Sequence, residues 1–169
     1  MKFTIEQVPQ FYQGYIRHVA ETELVAGLQA GGDEFVAMCE ALNESQSLYR
    51  YDEGKWSIKD LIQHLIDSER VFCYRAMRFA RNDRTELSGF DQDDYVKAVF
   101  ADKFALQDLM SSFRNVRRAS VDLFSSLSES ELIRSGTCNG VEMSVEMIGY
   151  IIVGHTRHHH NVIERHYLK

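Results

Sequence analysis

Apolar residues recur along this chain at three- and four-residue intervals, and the two-residue alternation of a half-buried strand is nearly absent, so the pattern predicts an all-α protein. The best-marked stretch follows Ser57-Ile58-Lys59-Asp60, an N-cap with an acidic residue three positions in. Ile58, Leu61, Leu65, Phe72 and Ala76 then keep helical spacing to about Ala80. Before it, an N-terminal arm around Phe11 to Tyr15 leads to a helical region from about Thr22 to Leu42, with a bend or break expected at Gly31-Gly32. After it, a connection of roughly two dozen residues carries turn signals at Asn82-Asp83 and Ser88-Gly89, an acidic segment from Asp91 to Asp94 and a short helix near Tyr95 to Phe100.

A third long helix, from about Lys103 to Leu127, places Leu106, Leu109, Phe113, Val116, Ser120 and Phe124 on one face, and Ser128 to Glu131 resembles the cap of a helical turn. Gly136 to Gly140 reads as a loop. The last helix starts near Ser144 and runs to about Tyr167 with Ile148, Ile151, Ile152, Val162 and Ile163 as its apolar stripe. Four main helices, with one long connection between the second and the third, make a four-helix bundle the simplest architecture.

Composition changes this picture little. A chain of 169 residues with one proline, Pro9, and no linker-like stretch reads as a single domain over residues 1–169, large enough to bury a core without a metal or disulfide to hold it. A net charge of −6 has the wrong sign for gripping phosphate backbones, so nucleic acid is not an expected partner. The opening residues show no apolar leader, and Tyr150-Ile151-Ile152-Val153 is too short to cross a bilayer; the expectation is a soluble, cytoplasmic protein with no membrane partner. Cys39, Cys73 and Cys138 are odd in number, far apart and outside any CxxC pattern, as suits reduced thiols.

The chemistry lies in the histidines. Five of seven, His155, His158, His159, His160 and His166, crowd the last helix, inside an amphipathic segment that resumes with Val162 and Ile163 and so differs from an appended tag. At about 100° per residue, Ile148, Ile152, His155, His159, Val162 and His166 share one stripe. His155 and His159 stand one turn apart, the spacing of a pair that can share an ion. His158 lies at the edge of the stripe, as a spare ligand or a neighbour of the ligands, and His160 on the far side. His64 sits on the flank of the second helix, where it can reach across a bundle seam. Each inward histidine also has a plain structural reading, as a hydrogen-bonded core residue. Three imidazoles together leave coordination positions open, as in catalytic rather than structural zinc sites.

With these residues placed, the chain resembles the DinB/YfiT-like superfamily of metalloenzymes. The likeness rests on Gly54-Lys55-Trp56-Ser57-Ile58-Lys59 leading to His64-Leu65-Ile66-Asp67-Ser68-Glu69-Arg70, on Tyr74-Arg75-Ala76 with Phe79-Ala80-Arg81, on Gly89-Phe90-Asp91, and on Ile151-Ile152-Val153-Gly154-His155 with His158-His159. The resemblance implies a four-helix bundle of the DinB/YfiT-like type with a divalent metal on His64, His155 and His159, zinc or nickel first, with iron, copper or manganese also suited to such ligands. It further implies an S-transferase that uses a low-molecular-weight thiol, bound as thiolate and attacking an electrophile.

A metal-dependent hydrolase and a non-catalytic metal or small-ligand binding protein are the alternatives. In the last of these the chain would form a homodimer through the segment from Asn82 to Ala101. Asp67, one turn after His64, is the candidate to orient a histidine or a bound water, or else pairs with Arg70 or Arg75 on the helix surface. Arg75, Arg78, Arg117 and Arg118 are candidate cations for an anionic substrate, set against a reading as solvated helix faces. Trp56, with Tyr49 and Tyr51, reads as an anchor at the start of the second helix.

Overall fold

The computed structural model describes residues 1–19 and 22–168. Its helices are α1 (Gln10–Ile16), α2 (Leu24–Glu40), α3 (Glu44–Ser47), α4 (Ile58–Ala80), α5 (Gln92–Val99), α6 (Leu106–Ser125), α7 (Glu129–Leu132) and α8 (Val145–His166). Helices α2, α4, α6 and α8 form the four-helix bundle. α2 and α4 each pack against both α6 and α8, so these two helices, consecutive among the four, stand across the bundle from each other.

Local sequence explains most boundaries. At the start of α4 the Asp60 amide donates to Ser57 Oγ at 3.1 Å and the Ser57 amide donates to Asp60 Oδ2 at 2.9 Å, the reciprocal capping box anticipated from these residues. Ser144 caps α8 one way only, its side chain accepting from the Met147 amide at 3.1 Å.

Two expectations give way. Helix α2 runs unbroken through Gly31-Gly32, because the missing side chain at Gly32 makes room for a neighbour: a Cβ there would meet Arg117 Cγ and Nη1 at 2.9 Å. The glycine serves close helix approach rather than a bend. The residues expected as a loop, 136–140, instead form most of one strand and the turn of an antiparallel hairpin, β1 (Ser135–Cys138) and β2 (Val141–Ser144). Asn139 and Gly140 both have positive φ, 52° and 73°, the backbone of a two-residue turn whose twist matches the strands. Leu87, in the long connection, bonds to this hairpin through Leu87 N–H to Thr137 O at 3.0 Å and Asn139 N–H to Leu87 O at 2.9 Å. The connection after α4 is thereby held against the end of the bundle.

The apolar interior falls into two clusters, one built around Leu28, Phe72, Phe79, Phe124 and Ile151, the other around Phe35, Ile62, Leu65, Phe113 and Ile163. Between them α4, α6 and α8 contribute buried polar residues, including His64, Ser68, Glu69, Arg117, Ser120, His155, Thr156 and His159. A bundle of this size tolerates a polar layer only where its members satisfy one another or await a ligand.

Candidate metal centre

Capping fixes the phase of both ligand-bearing helices, and the phase aims three imidazoles at one point. His64 Nε2 and His155 Nε2 lie 3.0 Å apart, and His159 Nε2 and His155 Nε2 also 3.0 Å apart. The three rings are nearly sealed from solvent, at 5%, 5% and 9% exposure. Among the described residues they are the group of histidine, cysteine or acidic side chains whose ligand atoms converge closely enough to hold one ion.

Hydrogen bonding cannot account for this arrangement. A neutral ring nitrogen carries either one proton or one lone pair, along a single direction, so His155 Nε2 cannot bond two facing nitrogens at once. Protonation is no remedy. Burial pushes His64 down to about 4, and holds His155 and His159 well below the ordinary imidazole range, where the charges their neighbours would carry depress them further. Three neutral imidazoles with lone pairs meeting at a point are a donor set for a cation, and His64, His155 and His159 fit a zinc-like or nickel-like divalent ion.

The outer sides of the rings differ. Ser68 Oγ stands 3.4 Å from His64 Nδ1, while His159 Nδ1 is buried without a partner. Trp56 packs its ring 4.9 Å from that of His64, and its carbonyl accepts from the Tyr167 hydroxyl at 2.8 Å, so this anchor bears on the cluster itself. Asp67 turns elsewhere: Gln63 Nε2 donates to Oδ2 at 2.9 Å and Arg70 Nη1 to Oδ1 at 3.3 Å, the surface pairing that was its alternative reading.

Of the remaining helix α8 histidines, His158 packs on Tyr15, with ring centroids 5.3 Å apart, and stays outside the convergent group. His160 faces Glu164. His166, placed inward on the helical wheel, is exposed and stacks on Tyr51, because near the end of α8 its neighbour is the segment leading into α4.

Two of the four arginines, Arg117 and Arg75, depart from a solvated-face reading. Arg117 is 6% exposed and forms a two-pronged pair with Glu69, Nε to Oε1 at 2.8 Å and Nη2 to Oε2 at 2.9 Å. It also donates to the Leu28 carbonyl and to Thr156 Oγ1. Arg75, 2% exposed, donates to the Ser88 carbonyl and lies over Phe90. Arg78 pairs with Asp83 and bonds the Tyr74 hydroxyl, and Arg118 remains exposed.

His64 and His155 open onto a cavity of about 360 Å³. Ser68 and Phe72 of α4 line it too, and its other walls come from outside the four main helices: Phe11, Tyr12 and Tyr15 from α1, Phe90 to Asp93 from the long connection and the start of α5, and Asn139 with Val141 from the hairpin. The Asn139-Gly140 pair, flanked by Thr137, Cys138, Val141 and Met143, was the available hairpin signal. The aromatic spacing of Phe11, Tyr12 and Tyr15 was visible, although nothing local tied it to His155.

The sequence profile of the DinB superfamily matches residues 27–163. No protein of curated function matches the sequence. Among solved structures, YfiT from Bacillus subtilis, described as a probable metal-dependent hydrolase with an unusual four-helix bundle topology, is similar with a TM-score of 0.73 at 15% identity, over 98% of this chain and 93% of that one. The mycothiol-dependent maleylpyruvate isomerase is similar with a TM-score of 0.68 at 11% identity, over 93% of this chain and 61% of the isomerase. At such identities the likeness is one of fold. No helix among the described residues is long and apolar enough to cross a membrane.

Proposed function

This chain belongs to the DinB superfamily, and from that membership we propose that it is a metal-dependent enzyme acting on small molecules, an S-transferase that uses a low-molecular-weight thiol. The observation that carries the reading is the meeting of three Nε2 atoms, those of His64, His155 and His159, beside a cavity of small-molecule size that His64 and His155 line.

His64, His155 and His159 would hold the ion. A divalent ion so held supplies positive charge that favours the deprotonated form of a thiol or of water. The chain's own residues do the rest. Ser68 Oγ is placed to accept from His64 Nδ1–H, which would direct the Nε2 lone pair inward. The rings of Tyr12, Tyr15 and Phe72 keep water from the cavity wall beside His155.

The thiol route is favoured over hydrolysis because the described residues supply no carboxylate hydrogen-bonded to the cluster as a general base, and Asp67 is engaged by Gln63 and Arg70. A thiol, by contrast, brings its own nucleophile. Metal-dependent hydrolysis is the second reading, supported by the fold shared with YfiT.

Elemental analysis of untagged protein tests the centre. Near-stoichiometric metal is expected in the wild type and its loss in His64→Ala, His155→Ala and His159→Ala; stoichiometric metal in all three variants would overturn the assignment. Trp56 is the chain's single tryptophan, so quenching of its fluorescence by added nickel or copper offers a second readout. Metal-loaded protein assayed with glutathione, bacillithiol and mycothiol beside an ester and amide panel separates transfer from hydrolysis.

A further inference from the structure

The cavity beside the histidines has a charge pattern that bears on what enters it. Its inner end is formed by His64 and His155, each 5% exposed, and its sides by the rings of Phe11, Tyr12, Tyr15, Phe72 and Phe90. At its outer edge stand Asp91 and Asp93, both exposed. Asp91 Oδ1 accepts from the Asp93 and Asp94 amides and so caps α5, which holds the first of these carboxylates at the cavity edge. Neither Asp91 nor Asp93 has a salt-bridge partner among the described residues; nearby Lys97 pairs with Asp94 instead. No lysine or arginine lines the cavity. Arg75 stands behind the wall, over Phe90 and turned to the Ser88 carbonyl, and near Tyr12, whose hydroxyl burial pushes up and this guanidinium pulls back down.

A ligand whose own charge is a carboxylate would thus enter past two carboxylates without salt-bridge partners, the nearest cation, Arg75, standing behind Phe90 and Tyr12. A protonated amine on an aromatic frame meets the opposite situation: carboxylates for the ammonium, and ring faces for both the cation and the apolar body. The volume of about 360 Å³ lies at the small end of small-molecule pockets.

We infer that this cavity takes an organic cation, an amine on an aromatic frame, with its ammonium at Asp91 and Asp93 and its body between the aromatic rings. The inference rests on the metal-enzyme reading for what would happen to such a molecule, but not for whether it binds. It names the substrate class of that same site.

The test uses full-length protein stripped with EDTA, so that binding is measured independently of the metal. Benzylamine, benzyl alcohol and benzoate share a frame and differ in charge. They are titrated at low salt and followed by the amide NMR signals of residues 90–99 and 139–141. Two carboxylates near the ligand charge lead us to expect benzylamine to bind about tenfold more tightly than benzoate, with the alcohol between them. Added salt should compress the ratio. In Asp91→Asn/Asp93→Asn, where asparagine preserves the helix cap, the three affinities should draw within about twofold of one another.

Benzoate binding as tightly as benzylamine would overturn the inference. So would a ratio unchanged in the double variant, shifts that map elsewhere, or no benzylamine binding up to its solubility limit. Loss of the metal-enzyme reading would appear separately, as metal retained by the histidine variants.

Discussion

Two buried polar groups share the interior of the bundle, and their difference separates structure from chemistry. Glu69 follows His64 by little more than one turn of α4, and Thr156 follows His155 on α8, so both groups hang on the same helices. Around Arg117 every nitrogen has an acceptor: Glu69 accepts in two places, Thr156 and the Leu28 carbonyl accept further protons, and Ser120 donates to Glu69 Oε1 at 2.6 Å. Opposite charges face each other and donors face acceptors. At His64, His155 and His159 like faces like. Three Nε2 atoms converge, and His159 Nδ1 has no partner. A buried group that is fully satisfied braces the fold, whereas one that is not satisfied has kept its capacity for something from outside.

The largest effect that would test this contrast is on stability. Glu69→Ala leaves the Arg117 guanidinium buried without its anion and should destabilise the protein by about 3–5 kcal/mol, read from denaturant unfolding. His155→Leu in metal-free protein should cost no more than about 1 kcal/mol, since it replaces an unsatisfied ring with an apolar side chain. If the two variants proved equally damaging without metal, the distinction would fail.

Next in size is the response to metal. An ion that binds only the folded chain stabilises it by about 2.7 kcal/mol at a hundredfold excess over its dissociation constant. Thermal unfolding of the wild type with and without zinc or nickel should show that gain. Glu69→Gln, if it folds, should keep most of it, and His155→Ala should lose it. A stabilisation that survives in His155→Ala would place the ion elsewhere.

The same contrast bears on how much the sequence disclosed. His155 and His159 were legible because one helix sets their spacing, and His64 because the Ser57 capping box fixes where α4 begins and hence which way its residues face. Helix α5 was legible in kind and α8 almost to its ends. The Glu69–Arg117 pair was not, since it joins positions 48 residues apart on separate helices, and either residue alone looks like an ordinary surface charge. Gly32 misled for the same reason: its partner is Arg117, on α6, and a glycine pair without that partner reads as a break. The cavity walls were hidden because α1, the long connection and the hairpin meet only after the bundle is assembled. His166 shows the limit of a helical wheel, which knows a residue's face but not what stands opposite it.

Proton uptake gives a smaller but directional effect. His64 falls from the ordinary 6.5 to about 4 on burial, so between those pH values the unfolded chain binds a proton that the folded chain does not. Metal-free stability should therefore rise with pH across that window, by about 1.4 kcal/mol per pH unit from His64 alone. It should be fully present above about pH 6.5 and lost as pH falls toward 4. Urea unfolding of EDTA-treated wild type and His64→Gln at several pH values measures it; equal slopes for the two proteins would contradict the assignment.

Ser68 lies between the two groups, one residue before Glu69, with its hydroxyl toward His64 Nδ1 at 3.4 Å. That distance is at the outer limit of a hydrogen bond, so its contribution without metal should be slight. Coordination through Nε2 would commit the proton to Nδ1 and give Ser68 Oγ a donor to accept from. Ser68→Ala should thus weaken metal affinity several-fold, below the roughly 10–100-fold seen when well-formed outer partners of metal-bound histidines are removed, and leave unfolding of the metal-free protein nearly unchanged. Competition with a chelator of known affinity resolves an effect of that size. Equal affinity in Ser68→Ala and wild type would mean that His64 is oriented by its packing on Trp56, and Trp56→Leu would then be the variant in which the loss appears.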